Sequence, residues 1–156
     1  LRNLQVIGWT TILFGILLYI SDKFNIEKNL DKNFTLKSAI IIGILQVFSL
    51  VPGVSRSGVT ITAARILKFN RVDSAKISFL LSIPTLAAVS FFGLKNLVTA
   101  NNIDFSILIF ISIFLSFIFS LITIKFFLKY IKNINFNIFV IYRVILGIFL
   151  ITIAYL

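Results

Sequence analysis

Four long stretches without a charged residue, from Asn3 to Ser21, Ser38 to Ser55, Ile77 to Leu94 and Phe105 to Ile124, constrain this chain more than any other feature. A fifth runs from Asn133 to Leu156 and is broken only by Arg143. Each is close to the roughly 20 residues that carry a helix across a ~30 Å hydrocarbon layer. Inside lipid every backbone polar group must be satisfied within its own segment, so apolar runs in series predict one polytopic helical bundle.

The rest of the composition agrees. The chain has 156 residues, 59% hydrophobic and 13% charged, with mean hydropathy +1.07, too apolar for an ordinary soluble domain. Its net charge of +10 does not point to nucleic acid, because the basic residues sit between apolar runs instead of on one wettable face. There is no Cys and no His, which excludes disulfides, thiolate sites and imidazole ligands. There is no Met either, and a chain opening Leu1-Arg2-Asn3 reads as the C-terminal portion of a longer protein.

Residues 38–68 depart from the spanning pattern. A first apolar arm, Ala39 to Val51, is about 20 Å long at 1.5 Å per residue, too short to cross, and stops at Val51-Pro52-Gly53. A second arm is expected to start at Ser57-Gly58, with Ser as N-cap, and to continue to Leu67. Charge counting separates a re-entrant hairpin from a kinked span. If the segment re-enters, Lys23, Lys28, Lys32, Lys37, Arg65, Lys68, Arg71, Lys76, Lys125, Lys129 and Lys132 share one side, and Arg2 and Lys95 the other. A through-span divides the same residues eight against five, so the positive-inside rule favours the hairpin. The expected fold is an all-α integral membrane bundle in a single domain, with spans at about 3–21, 77–95, 105–127 and 136–156 and a re-entrant helix-turn-helix hairpin at about 38–68.

The hairpin tip concentrates the chemistry. Pro52-Gly53-Val54-Ser55-Arg56-Ser57-Gly58-Val59-Thr60 places an Arg, three hydroxyls and two glycines at a helix break within the bilayer. Non-helical backbone at that depth requires surrounding protein or a watery cavity, and an intramembrane Arg marks a functional site by default. The amides of Gly58, Val59 and Thr60 are expected as free donors at a helix N-terminus, where an anion is stabilised. Arg56 would add a planar fork matched to phosphate oxygens. The structural alternative is that Arg56 caps carbonyls of the bundle and the serines repair the break. Arg143, about seven residues into the last helix, either pairs with a carboxylate elsewhere or snorkels outward.

These residues carry a family resemblance. Gly43, Gln46 and the run Pro52 to Thr60 resemble a Pro-Gly-x-Ser-Arg-Ser-Gly-x-Thr signature of the undecaprenyl-diphosphatase (bacitracin-resistance) family. Ser78 to Pro84 is similar to its Ser-Phe-Leu-Leu-x-x-Pro segment, and Phe139 to Gly147, with Tyr142-Arg143, resembles its last helix. The resemblance implies hydrolysis of the C55 isoprenoid diphosphate to the monophosphate carrier of cell-wall synthesis. It implies Ser55, Arg56 and Thr60 as catalytic residues and Gly53, Ser57, Gly58 and Val59 as phosphate-binding, in an outward-facing pocket of the bacterial cytoplasmic membrane.

Two departures stand out. Lys68 occupies a place where family members carry Gly. The family's first signature, an acidic pair and a His that hold a divalent cation such as Mg or Ca, is absent. Asp22, Glu27, Asp31, Asp73 and Asp104 are all expected in loops, so no metal ligand set or general base is expected in this chain. The chain alone is therefore expected to be inactive. Ser55 is either nucleophile or orienting hydroxyl. The expected partners are a polyprenyl diphosphate and membrane lipid, with a homodimer left open. The main rival function is a transporter or flippase of an anionic lipid, since broken helices meeting at mid-membrane also serve transport.

Overall fold

In the computed structural model, residues 3–24, 28–99, 107–132 and 135–155 are described. Arg2, Glu27 and Asp104 lie outside them. The elements are α1 (Leu4–Asp22), α2 (Leu30–Asn33), α3 (Leu36–Gln46) continued by a 3-10 turn (Val47–Leu50), α4 (Arg56–Ile66), α5 (Arg71–Thr99), α6 (Ile107–Ile131) and α7 (Asn137–Tyr155). Among the described residues the sole β feature is an isolated bridge between Lys28 and Phe69. The all-α expectation holds, and α1, α5, α6 and α7 are long and apolar enough to cross a membrane.

The boundaries follow from capping. Asn3 accepts from the Gln5 amide at the start of α1, and Thr35 accepts from the Ser38 amide at the start of α3. α5 begins six residues before the expected span, because the polar turn Arg71-Val72-Asp73 is capped by Asn70, whose Oδ1 accepts from the Asp73 amide at 2.8 Å. The helix passes through Pro84, the proline expected to kink it, where Ser82 and Thr85 donate back to the Phe79 and Leu81 carbonyls. Asp22 closes α1, Asp31 lies in α2 and Asp73 in the first turn of α5, so these three carboxylates are helical and not in loops as expected.

α1 and α7 pack antiparallel at close range because glycines face the crossing. A Cβ on Gly8 would stand 2.5 Å from Ile151 Cγ1, and one on Gly147 would stand 3.0 Å from the Gly8 carbonyl. At the opposite end of α1, Asp22 accepts hydrogen bonds from Arg71 Nε and Nη2 at 2.8 and 2.9 Å and lies 3.3 Å from Arg65 Nε. Arg65, wholly buried, also donates to the carbonyls of Phe69, Asp22 and Phe24.

The segment from Lys28 to Phe69 therefore leaves and returns to one place. Lys28 donates to the Lys68 carbonyl at 3.1 Å, while the far tip of the segment meets Thr10 and Thr11, halfway along α1. Two apolar clusters fix it there: Ile42, Ala63, Ala64, Phe69 and Ile77 hold α3, α4 and α5 together, and Leu18, Ile61, Ala75, Phe136 and Val140 seat α4 against α1, α5 and α7. By contrast, α6 exposes apolar side chains almost all round, as a lipid-facing helix does.

Candidate active site

The turn between the arms is held by its backbone. Gly53 adopts φ +89°, a conformation L side chains rarely reach, and a Cβ there would lie 2.5 Å from the Ile7 carbonyl. Only glycine allows that approach to α1. The carbonyls freed by the break are satisfied from both neighbours. Thr10 donates to Pro52 at 2.7 Å, Thr11 donates to Gly53 at 3.2 Å, and Arg143 Nη2 donates to Gly53 at 3.1 Å.

α4 starts two residues earlier than expected. Ser55, not Ser57, is the N-cap: its backbone is extended and its Oγ accepts from the Gly58 amide at 3.1 Å. The Val59 amide bonds to the Ser55 carbonyl at 2.9 Å. The Gly58 and Val59 amides are thus engaged, and the free end of the helix moves to the amides of Arg56 and Ser57, for which the described residues supply no acceptor.

Beside this terminus lies a cleft of about 640 Å³. Its polar part is formed by Thr11, Gly53, Ser55, Ser57, Gly58 and Arg143, and its apolar walls include Phe79, Phe127, Phe139, Leu146 and Leu150. The remaining expected residues lie off the cleft. Arg56 is half-buried, is not part of the cleft wall, and its guanidinium has no protein partner among the described residues. Among the described residues it caps no carbonyl. Thr60 is buried, with its hydroxyl 2.6 Å from Ser78 Oγ on α5 and bonded to the Arg56 and Ser57 carbonyls. Val59 is buried as well.

Arg143 is the residue whose place the sequence left undecided. It is 8% exposed, neither snorkels nor meets a carboxylate among the described residues, and lies against the turn. The signal was present, since an uncompensated Arg in an apolar helix is functional by default. What sequence could not supply was the face of α7 that meets α4.

The described residues do not assemble a cation site. Among the described residues no three carboxylate, His or Cys groups come together. Asp22 is committed to Arg65 and Arg71, and Asp73 accepts from the Leu30 amide and from Asn70.

The fold and cleft define a class: a polytopic helical membrane protein with a cationic, hydroxyl-rich helix break beside an apolar cleft. Within that class the chain belongs to the family of the bacitracin resistance protein BacA, whose profile matches residues 1–149. It is 50% identical over 154 residues to an undecaprenyl-diphosphatase of Pelagibacter ubique, covering 99% of this chain and 60% of that protein. Similar matches are undecaprenyl-diphosphatases of Jannaschia sp., 37% identical with 58% of that protein covered, and of Elusimicrobium minutum, 42% identical with 57% covered. The chain thus spans about 60% of the length of the curated relatives it matches.

Proposed function

We propose that this chain forms the phosphate-holding part of an undecaprenyl-diphosphate phosphatase of the bacterial cytoplasmic membrane, which hydrolyses the lipid diphosphate to the monophosphate carrier. The single observation that carries the reading is the cleft. An aromatic and aliphatic trough, of a kind that takes a prenyl chain, ends on a helix N-terminus, two serine hydroxyls and a guanidinium, a set that takes an anion. The helix terminus and Arg143 favour negative charge, and the same donors would stabilise charge developing on the transferred phosphoryl group.

Ser55 acts either as nucleophile or as orienting hydroxyl. Its Oγ already accepts from the Gly58 amide, and no base among the described residues stands ready to activate it. Arg56, unpartnered by protein, is available to a phosphate from outside the cleft wall. A divalent cation belongs to the same proposal, with ligands that the described residues do not provide. So do an outward-facing site and a homodimer. The hairpin is read as re-entrant because its two ends meet beside Lys28 and its tip stops at the middle of α1.

Phosphate release from undecaprenyl diphosphate by the full-length gene product tests the reading. Arg56→Ala and Arg56→Lys are both expected to lose about 10² to 10³ in turnover, the scale for removing one preorganised donor, because an ammonium keeps the charge but not the fork. Movement of the lipid across the bilayer without phosphate release would support the transporter reading instead.

A further inference from the structure

The fold leaves one guanidinium in an arrangement that packing alone does not explain. Arg143 stands in the middle of a helix that crosses the membrane, nine-tenths buried, with one described acceptor, the Gly53 carbonyl, for its five N–H donors. Its Nη1 lies 2.6 Å from the point a Cβ on Gly58 would occupy, and Ser55 Oγ lies 3.3 Å from that same point. The guanidinium, the N-cap hydroxyl and the first turn of α4 therefore surround one spot at the polar end of the cleft.

A buried cation in a low-dielectric setting needs a counter-charge, and no carboxylate among the described residues supplies one. The side chain turns inward to the Gly53 carbonyl instead of reaching towards an interface. Gly58 permits this approach, since any larger residue would displace the guanidinium from the helix terminus.

We propose that Arg143 is a second phosphate-binding residue of the cleft, which holds the Gly53 turn with Nη2 and presents its remaining N–H groups to a phosphate of the bound lipid. Resting on the proposed function above, this assigns two guanidinium groups to the anion: Arg143 from the buried wall and Arg56 from the more open side. One fork thereby does two things. It fixes the turn that exposes the Arg56 and Ser57 amides, and it supplies charge where those amides point.

Binding of farnesyl diphosphate and of farnesol to the purified chain in lipid nanodiscs tests this, with Arg143→Gln and Arg143→Lys as variants and thermal unfolding as the check on folding. The expected result is a roughly 10- to 100-fold weaker affinity of Arg143→Gln for the diphosphate, the scale for losing hydrogen bonds to a charged group. Farnesol affinity should be unchanged. Arg143→Lys should weaken diphosphate binding less than Gln, and it decides the matter if the Gln variant does not fold. Unchanged diphosphate affinity in a folded variant, or equal losses for farnesol and farnesyl diphosphate, would reduce Arg143 to a strut and overturn the proposal. If the unsubstituted chain binds farnesyl diphosphate no better than farnesol, the proposed function itself fails, an outcome distinct from a variant that keeps full affinity.

Discussion

Lys68 carries φ +73°, the left-handed region, in the four-residue connection between α4 and α5. Its amide donates to the Arg65 carbonyl at 2.8 Å and its carbonyl accepts from Lys28, so the backbone cannot relax without releasing the ends of the hairpin. A non-glycine residue costs roughly 1–2 kcal/mol in this conformation, partly offset in glycine by greater freedom of the unfolded chain. This explains physically why the resemblance called for Gly at a position the sequence fills with Lys. Lys68→Gly is expected to stabilise the protein by about 0.5–1 kcal/mol and to raise its melting temperature in detergent. A lower melting temperature would mean that contacts of the lysine side chain outweigh the backbone strain. Gly53 is the opposite case: its positive φ and its approach to Ile7 leave no room for a side chain, and the Pro-Gly pair announced that break in the sequence.

At the scale of elements, the junction of α1, α4 and α5 is held by one carboxylate. Asp22 compensates Arg65, which is 1% exposed, and Arg71, which is partly exposed. Removing one partner of a buried pair strands the other charge, so Asp22→Ala should cost about 3–5 kcal/mol. Lys76→Ala, which removes a 3.8 Å contact with Asp73 made by a half-exposed side chain, should cost under about 1 kcal/mol. Denaturation of the two variants in detergent compares them directly, and equal losses would show that the junction does not depend on the Asp22 pair. The four spanning helices were legible because length and lack of charge are local properties, as was the break at Pro52-Gly53. The start of α4 was misplaced by two residues because Ser55 and Ser57 have the same capping propensity. What decides between them is the extended backbone that Ser55 inherits from the turn, fixed by contacts from α1 and α7. The places of Thr60 and Arg143 were equally out of reach, since they depend on Ser78 and Gly53, far away in the chain.

For the whole molecule, the hairpin places Lys28 and Arg71 at the same end of the bundle, since the backbone of Lys28 bonds to Lys68 and Asn70. Cysteines introduced at both positions should react with a membrane-impermeant thiol reagent from one and the same side, the cytoplasmic one. Labelling from opposite sides would mean that residues 38–68 cross the membrane. Two of the apolar depressions among the described residues are long enough to compare as seats for a lipid tail, and of these two the first ends on a guanidinium and hydroxyl groups. The cleft between α4 and α7 reaches Ser55, Ser57 and Arg143, whereas the groove along α3 and α5 is walled by Ile42, Leu80, Leu81 and Pro84. The central claim is that the lipid diphosphate occupies the first of these. Photo-crosslinking with a prenyl diphosphate that carries a diazirine near its head group, read out by peptide mass spectrometry, tests it most directly. The account predicts adducts on Phe139, Leu146 and Leu150, suppressed by excess farnesyl diphosphate. Adducts confined to Leu80, Leu81 and Pro84, with none on α7, would contradict it.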